Sequence, residues 1–361
     1  MKNKFETGNY YPGIDGLRGL AVILVLIYHN FFYLEITWYG QFGVDLFFVI
    51  SGFLITEILL KSISSEKYFT SFYGRRLVRI FPIYYLCLAL IFFILPDQLL
   101  LDTGFNTSRA DQWWFWAYLQ NWFIATQSAP IGAGPLTHFW TLAVEEQFYL
   151  LWPLIIFFIR DLKKLLVTCI AILIIINLIR FFTWFYFIDN IDQLSFTLTR
   201  CDGILLGSIL AVLNQTGQFQ KSILLKITSI ILIFLNGIYF LLGPVFDLRP
   251  NYLNIAGFTS ISICFTWVLY LTISNPRSIF QKTLLIYPLK FFGKYSYGIY
   301  VFHFPVMFLL HPTLEKWLWP LFGNRFPETL LLICIEVIVA IIVYHLYEKH
   351  FLKLKKFFPY A

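Results

Sequence analysis

The stretch Gly16–His29, GLRGLAVILVLIYH, decides how the chain is read. It is an apolar run with Arg18 near one end and His29 eleven residues later. At ~100° per residue, eleven steps return a helix to within about 20° of its starting face. Arg18 and His29 therefore share one side of a helix, ~16 Å apart along its axis at 1.5 Å per residue. Ionisable groups at membrane depth are costly and face a protein interior or a watery cavity. The spacing predicts a membrane helix that walls a site running from one membrane surface towards the middle.

Composition extends this reading to the whole chain. Of 361 residues, 59% are hydrophobic, 20% aromatic and 13% charged, whereas a soluble domain is about 45–50% apolar and about 25% charged. The fold class expected is all-α, a polytopic integral membrane protein in contact with lipid. The net charge of +7 is an orientation signal in such a protein and no footprint of nucleic acid. Cys87, Cys169, Cys201, Cys264 and Cys334 are odd in number and scattered, with no zinc-like spacing, so they read as buried hydrophobes and no metal site is expected. The first apolar run lacks a small-residue cleavage site and is kept as a span.

Ten apolar segments can be counted, about 14–34, 42–61, 80–96, 143–160, 165–187, 200–214, 223–243, 254–273, 295–311 and 328–348. The connections alternate in charge. One set carries Lys2 and Lys4, then Lys61, Lys67, Arg75, Arg76 and Arg79, then Arg160, Lys163 and Lys164. It continues with Lys221 and Lys226, with Arg277, Lys282, Lys290 and Lys294, and with the tail Lys349, Lys353, Lys355 and Lys356. The other set, 35–41, 97–142, 188–199, 244–253 and 312–327, is poor in Lys and Arg. By the positive-inside rule both termini are cytoplasmic, which an even number of spans requires. Within the long outer segment 97–142, Trp113–Phe123 (WWFWAYLQNWF) is too short and polar to span, and is expected as an interfacial or re-entrant helix.

Four clusters carry candidate chemistry. His29 titrates near neutrality and suits general-base work on a hydroxyl, while Arg18 binds phosphate or carboxylate with a fork of donors. In Gly40–Ile55 (GQFGVDLFFVISGFLI), Gly43 and Gly52 allow close helix packing and Ser51 can bond across it; Asp45 reads as near the outer surface, either solvated or site-shaping. Arg75, Arg76 and Arg79 stand before Pro82 at a cytoplasmic helix start, as topology markers and lipid-headgroup contacts or as ligands for a donor with several phosphates. Glu145 and Glu146 stand at the outer start of another helix, ~100° apart, so that one faces inward; Tyr149 shares the face of Glu145. Beyond these, Arg200 and Asp202 form a candidate charge pair, Ser296, Tyr300 and His303 follow i, i+4, i+7, and Glu336 and Glu348 bracket the last helix.

Taken together these stretches resemble the membrane-bound acyltransferase family 3, which includes O-antigen and other surface-polysaccharide O-acetyltransferases. The resemblance rests on Arg18 and His29 with ten residues between them, on FFVISGF (Phe47–Phe53), and on Arg76, Arg79 and Pro82. It continues through EEQFYLLWP (Glu145–Pro153), YSYGIYVFH (Tyr295–His303) and Glu348. Two departures are Thr141, where a serine is common, and His350, where a proline is common.

The resemblance implies one transmembrane acyltransferase domain over 1–361, without the C-terminal esterase-like domain of some relatives, in a bacterial cytoplasmic membrane. It implies an acyl-CoA donor, most often acetyl-CoA, as cosubstrate and no resident cofactor. The acceptor implied is a hydroxyl of a glycan or lipid-linked glycan of the envelope, lipopolysaccharide among them. Arg18, Arg75, Arg76 and Arg79 then meet the donor phosphates. His29 activates the acceptor hydroxyl or carries the acyl group transiently, and Glu145 orients a partner or the acceptor. A transporter or flippase of a lipid-linked sugar is the rival from another class, since ionisable residues lining a bundle suit it equally.

Overall fold

A computed structural model describes residues 11–96, 111–126, 134–186, 192–218, 223–246, 256–275 and 277–360. Lys2, Lys4 and Lys221, and the remainder of the outer segments 97–142, 188–199 and 244–253, fall outside the described residues.

The ten apolar segments expected from the sequence all fall on helices. These are α1 (Pro12–Asn30), α2 (Gly43–Ser62), α3 (Tyr68–Ala89), α4 (Trp140–Ile159) and α5 (Leu162–Tyr186). They continue with α6 (Asp202–Gln215), α7 (Ile223–Phe246), α8 (Phe258–Ser274), α9 (Tyr287–Phe322) and α10 (Phe326–Val343). Among the described residues there is no strand, and six helices are long and apolar enough to cross a membrane. The molecule is a multi-pass membrane protein. Apolar side chains cover its outward faces, for example Val167, Ile174, Phe181 and Phe185 of α5. That is the surface a hydrocarbon solvent selects.

Between helices in a membrane, small residues let backbones approach closely. The α2–α6 contact is built this way: a Cβ on Gly52 would overlap the Ile204 carbonyl, and one on Gly207 the Val49 carbonyl. The α1–α9 contact repeats the device, with Gly19 against the Leu289 carbonyl and Gly293 against the Asp15 carbonyl. These two contacts hold α1, α2, α6 and α9 together, and the arginine and histidine of α1 lie within that framework.

Three boundaries differ from the sequence reading. α3 starts at Tyr68, so Pro82 lies inside the helix rather than at its start; the polar turns carrying the arginines hid the helix from a hydropathy reading. α4 starts at Trp140 after a 3-10 turn over Gly134–Phe139, which places Glu145 more than a turn inside. Trp113–Phe123 is covered by two short helical pieces, Trp113–Trp116 and Gln120–Thr126. The break comes at Tyr118, which has a positive φ of 55°. The second piece is tied to α4 by Gln147 Nε2, which donates to the Tyr118 carbonyl and to Asn121 Oδ1, both at 2.8 Å.

Candidate functional site

Two helices deliver four arginines to one cavity of about 340 Å³. Arg18 comes from α1; Arg75, Arg76 and Arg79 come from α3. The three α3 residues reach the same space because i, i+1 and i+4 keep Arg75, Arg76 and Arg79 on neighbouring faces of one helix. Among the described residues, none of these arginines has a carboxylate oxygen within 4.0 Å. Arg18 and Arg79 line the same cavity and meet there as like charges.

Four acids line the same cavity, Asp15, Glu57, Glu145 and Glu146. Both Glu145 and Glu146 line it, although the 100° between them predicts one inward residue only. Ser51 Oγ of α2 donates to Glu145 Oε1 at 2.7 Å. Tyr149 also lines the cavity, and its ring takes the Arg76 guanidinium at 5.6 Å. Ser296, Tyr297 and Tyr300 of α9 close the far side. Glu145 therefore sits among the arginines rather than at an outer surface.

Tyr300 and Thr141, whose oxygens are 2.5 Å apart, also line the cavity, and Tyr300 Oη donates to the His138 carbonyl at 3.1 Å. His29 is not among the lining residues. His303 comes between His29 and Tyr300: its ring is 5.7 Å from that of Tyr300 and 5.0 Å from that of His29. A third imidazole, His138, has its ring 4.9 Å from His303.

Hydrogen-bond partners assign the tautomers. His303 Nδ1 lies 2.8 Å from the Tyr300 carbonyl and 3.2 Å from that of Ile299, and carbonyls only accept, so Nδ1 carries the proton. Its Nε2 is then an acceptor, 3.1 Å from His29 Nδ1. His29 Nδ1 also lies 3.1 Å from the Val25 carbonyl, so it is the donor to both. The remaining atom, His29 Nε2, keeps a lone pair with no partner among the described residues. His29 is half-buried, whereas His303 is fully buried. An imidazole held as a donor at one nitrogen offers the other as a base or nucleophile.

Asp45, Arg200 and Asp202 do not line this cavity. Asp45 is buried rather than solvated and pairs with Arg200 at 3.1 Å. Asp202 pairs instead with Arg180 of α5 at 2.7 Å. The sequence pairing of Arg200 with Asp202 is therefore corrected: residues two apart point ~200° apart on a helix and meet different neighbours. Arg180, which the sequence reading passed over, carried a signal in being an arginine inside an apolar helix. Lys355 and Tyr360 also line the cavity and were missed, because their loop returns to it from the far end of the chain. Glu348 is buried but does not line the cavity, and Glu336 accepts from Asn30 Nδ2 at 3.0 Å.

The sequence matches a family model described as an acyltransferase domain over residues 11–345. It is 33% identical over 333 residues to the O-acetyltransferase OatA of Staphylococcus aureus (strain NCTC 8325 / PS 47), covering 84% of this chain and 52% of that protein. It is 31% identical over 329 residues to the peptidoglycan O-acetyltransferase OatA of Listeria monocytogenes, covering 85% of this chain and 51% of that protein. Identity to YrhL of Bacillus subtilis (strain 168) is 31% over 369 residues, covering 97% of this chain and 56% of that protein. The chain spans about half the length of these relatives. No solved structure is a significant match.

Proposed function

The chain belongs to the acyltransferase family whose domain it matches, and from that premise we propose that it moves an acetyl group from acetyl-CoA to a hydroxyl of a cell-wall glycan, peptidoglycan being the acceptor named for its relatives. One observation carries the reading: arginines with no carboxylate oxygen within 4.0 Å among the described residues converge on a cavity at one end of α1, and an imidazole whose Nε2 has no partner among them stands at the other end. A polyphosphate needs forked, permanently charged donors, and a hydroxyl needs a base.

In this reading the arginine end is cytoplasmic, both termini lie there, and the ten helices each cross a bacterial cytoplasmic membrane. Arg18, Arg75, Arg76 and Arg79 hold the donor phosphates. Glu145, fixed by Ser51, keeps the Arg18 side of the cavity in register. The thioester arm extends past Ser296 and Tyr300 towards His29. There His29 Nε2 takes the proton of the acceptor hydroxyl as its oxygen attacks the thioester carbonyl. The C–S bond breaks, and the proton passes to the sulfur to give free CoA. The same lone pair equally serves a transient N-acyl imidazole, from which the hydroxyl accepts the acetyl group. His303 is a positioning residue that holds His29 Nδ1 as the donor. The helix framework supplies proximity between donor and acceptor.

The test is acetyl-CoA turnover by purified protein in nanodiscs, with a cell-wall glycan extract as acceptor and free CoA as readout. Acceptor-dependent release in wild type that is lost in His29→Ala is the expected result. Glycan-dependent movement of a lipid-linked sugar without thioester cleavage would favour a flippase instead.

A further inference from the structure

The last described part of the chain folds back over α3. After the helical turns Tyr344–Glu348 and Lys349–Leu352, a 3-10 turn spans Lys353–Phe357 and the chain runs on to Tyr360. Three contacts dock it. Ser71 Oγ donates to the Pro359 carbonyl at 2.7 Å, and Arg75 Nη1 donates to the Phe358 carbonyl at 3.4 Å. The Arg75 guanidinium lies over the Tyr360 ring, 4.6 Å from its centroid. The Phe358 ring occupies the space that a Cβ on Gly74 would take.

This docking sorts three lysines of the segment. Lys353 and Lys356 are exposed, whereas Lys355 is half-buried and lines the cavity together with Tyr360. Lys355 has no carboxylate oxygen within 4.0 Å among the described residues. It shares the cavity with Arg18, Arg75, Arg76 and Arg79, and with the acids Asp15, Glu57, Glu145 and Glu146. Five cations against four acids leave the cavity net positive, and an anion of several charges is drawn to that excess.

We propose that Lys353–Tyr360 is a strap that completes the donor site, with Lys355 binding a phosphate of the nucleotide-bearing donor and Tyr360 holding Arg75 at the mouth. The proposal rests on the acyl-CoA reading above and adds to it a binding residue outside the helical bundle. A forked guanidinium set grips a phosphate from the α1 and α3 side, and a compact ammonium closes it from the other.

The experiment is titration of coenzyme A into the full chain in nanodiscs of phosphatidylcholine alone, which removes anionic headgroups as competitors. Lys355→Ala is expected to weaken binding about tenfold, Lys355→Arg to restore most of it, and Lys353→Ala to leave it unchanged. Gly74→Val, which displaces the Phe358 ring without touching a charge, should weaken binding similarly; size-exclusion profiles report that each variant is folded. Unchanged affinity in both Lys355→Ala and Gly74→Val, with Arg76→Ala still weakened, would overturn the strap and leave the donor reading standing. Failure of wild type to bind above empty nanodiscs would remove both.

Discussion

At the scale of single residues, the consequence lies in which nitrogen of His29 is free. Nδ1 is committed to Val25 and His303, so any role in proton transfer or acyl transfer falls to Nε2. General-base contributions are typically about 10²–10⁴-fold, and His29→Gln should lower kcat for acetyl transfer by at least about 100-fold. His303→Leu removes one of the two acceptors of Nδ1–H and leaves the Val25 carbonyl alone to hold the ring. It should lower kcat about 10–100-fold, the cost usual for losing a group that orients a histidine, with KM for acetyl-CoA within about twofold because the donor cavity is untouched. His303→Gln, whose amide oxygen accepts the same hydrogen bond, should recover much of the loss. Both parameters come from free-CoA release. If His303→Leu raised KM and spared kcat, the orienting role would be wrong. The Arg18–His29 stripe was legible because helical periodicity is a property of the sequence alone. The depth of Glu145 was not, since it depends on where α4 begins, and the 3-10 turn before it shows no hydropathy signal.

At the scale of elements, buried charges tie helices that the sequence does not connect. Arg180 of α5 bonds the Thr199 carbonyl as well as Asp202, while Arg200 pairs with Asp45 of α2 and lies over the Phe258 ring at 3.8 Å. Breaking a buried pair on one side leaves an uncompensated charge and costs about 3–5 kcal/mol. Asp202→Ala should therefore lower the detergent melting temperature clearly, and Arg180→Met combined with Asp202→Leu should be milder than either single change. Equal or additive losses in the double variant would show that the pair is no coupled unit. A second element-level test concerns the α2–α6 contact: Gly52→Leu meets the Ile204 backbone, which has no flexible end to yield. Monodisperse protein should be lost, whereas Gly237→Leu on α7, with nothing within 4 Å, should be recovered normally. The glycines were readable as packing residues from sequence, but which helix each one meets was not.

At the scale of the whole molecule, the charge pattern predicts an orientation for the bundle, and one labelling experiment tests it. In a variant whose five native cysteines are replaced, a cysteine at Glu35 should react with a membrane-impermeant maleimide in intact cells. One at Glu66 should react only after permeabilisation. Both positions are exposed and lie at opposite ends of α2. Reversed accessibility would put the arginine cavity on the outer side, out of reach of cytoplasmic CoA. The sequence by itself determined that the chain is helical, that it crosses a membrane several times, and that Arg18 and His29 share one face. Composition and periodicity are local quantities, and an apolar solvent leaves a helix as the way to satisfy each segment's backbone. Only the tertiary structure decided who meets whom. It brought Glu145 and Lys355 to the arginines, gave Asp45 to Arg200, and placed His303 against His29. Those choices are set by close approach at glycine contacts between helices far apart in sequence, and no single segment contains them.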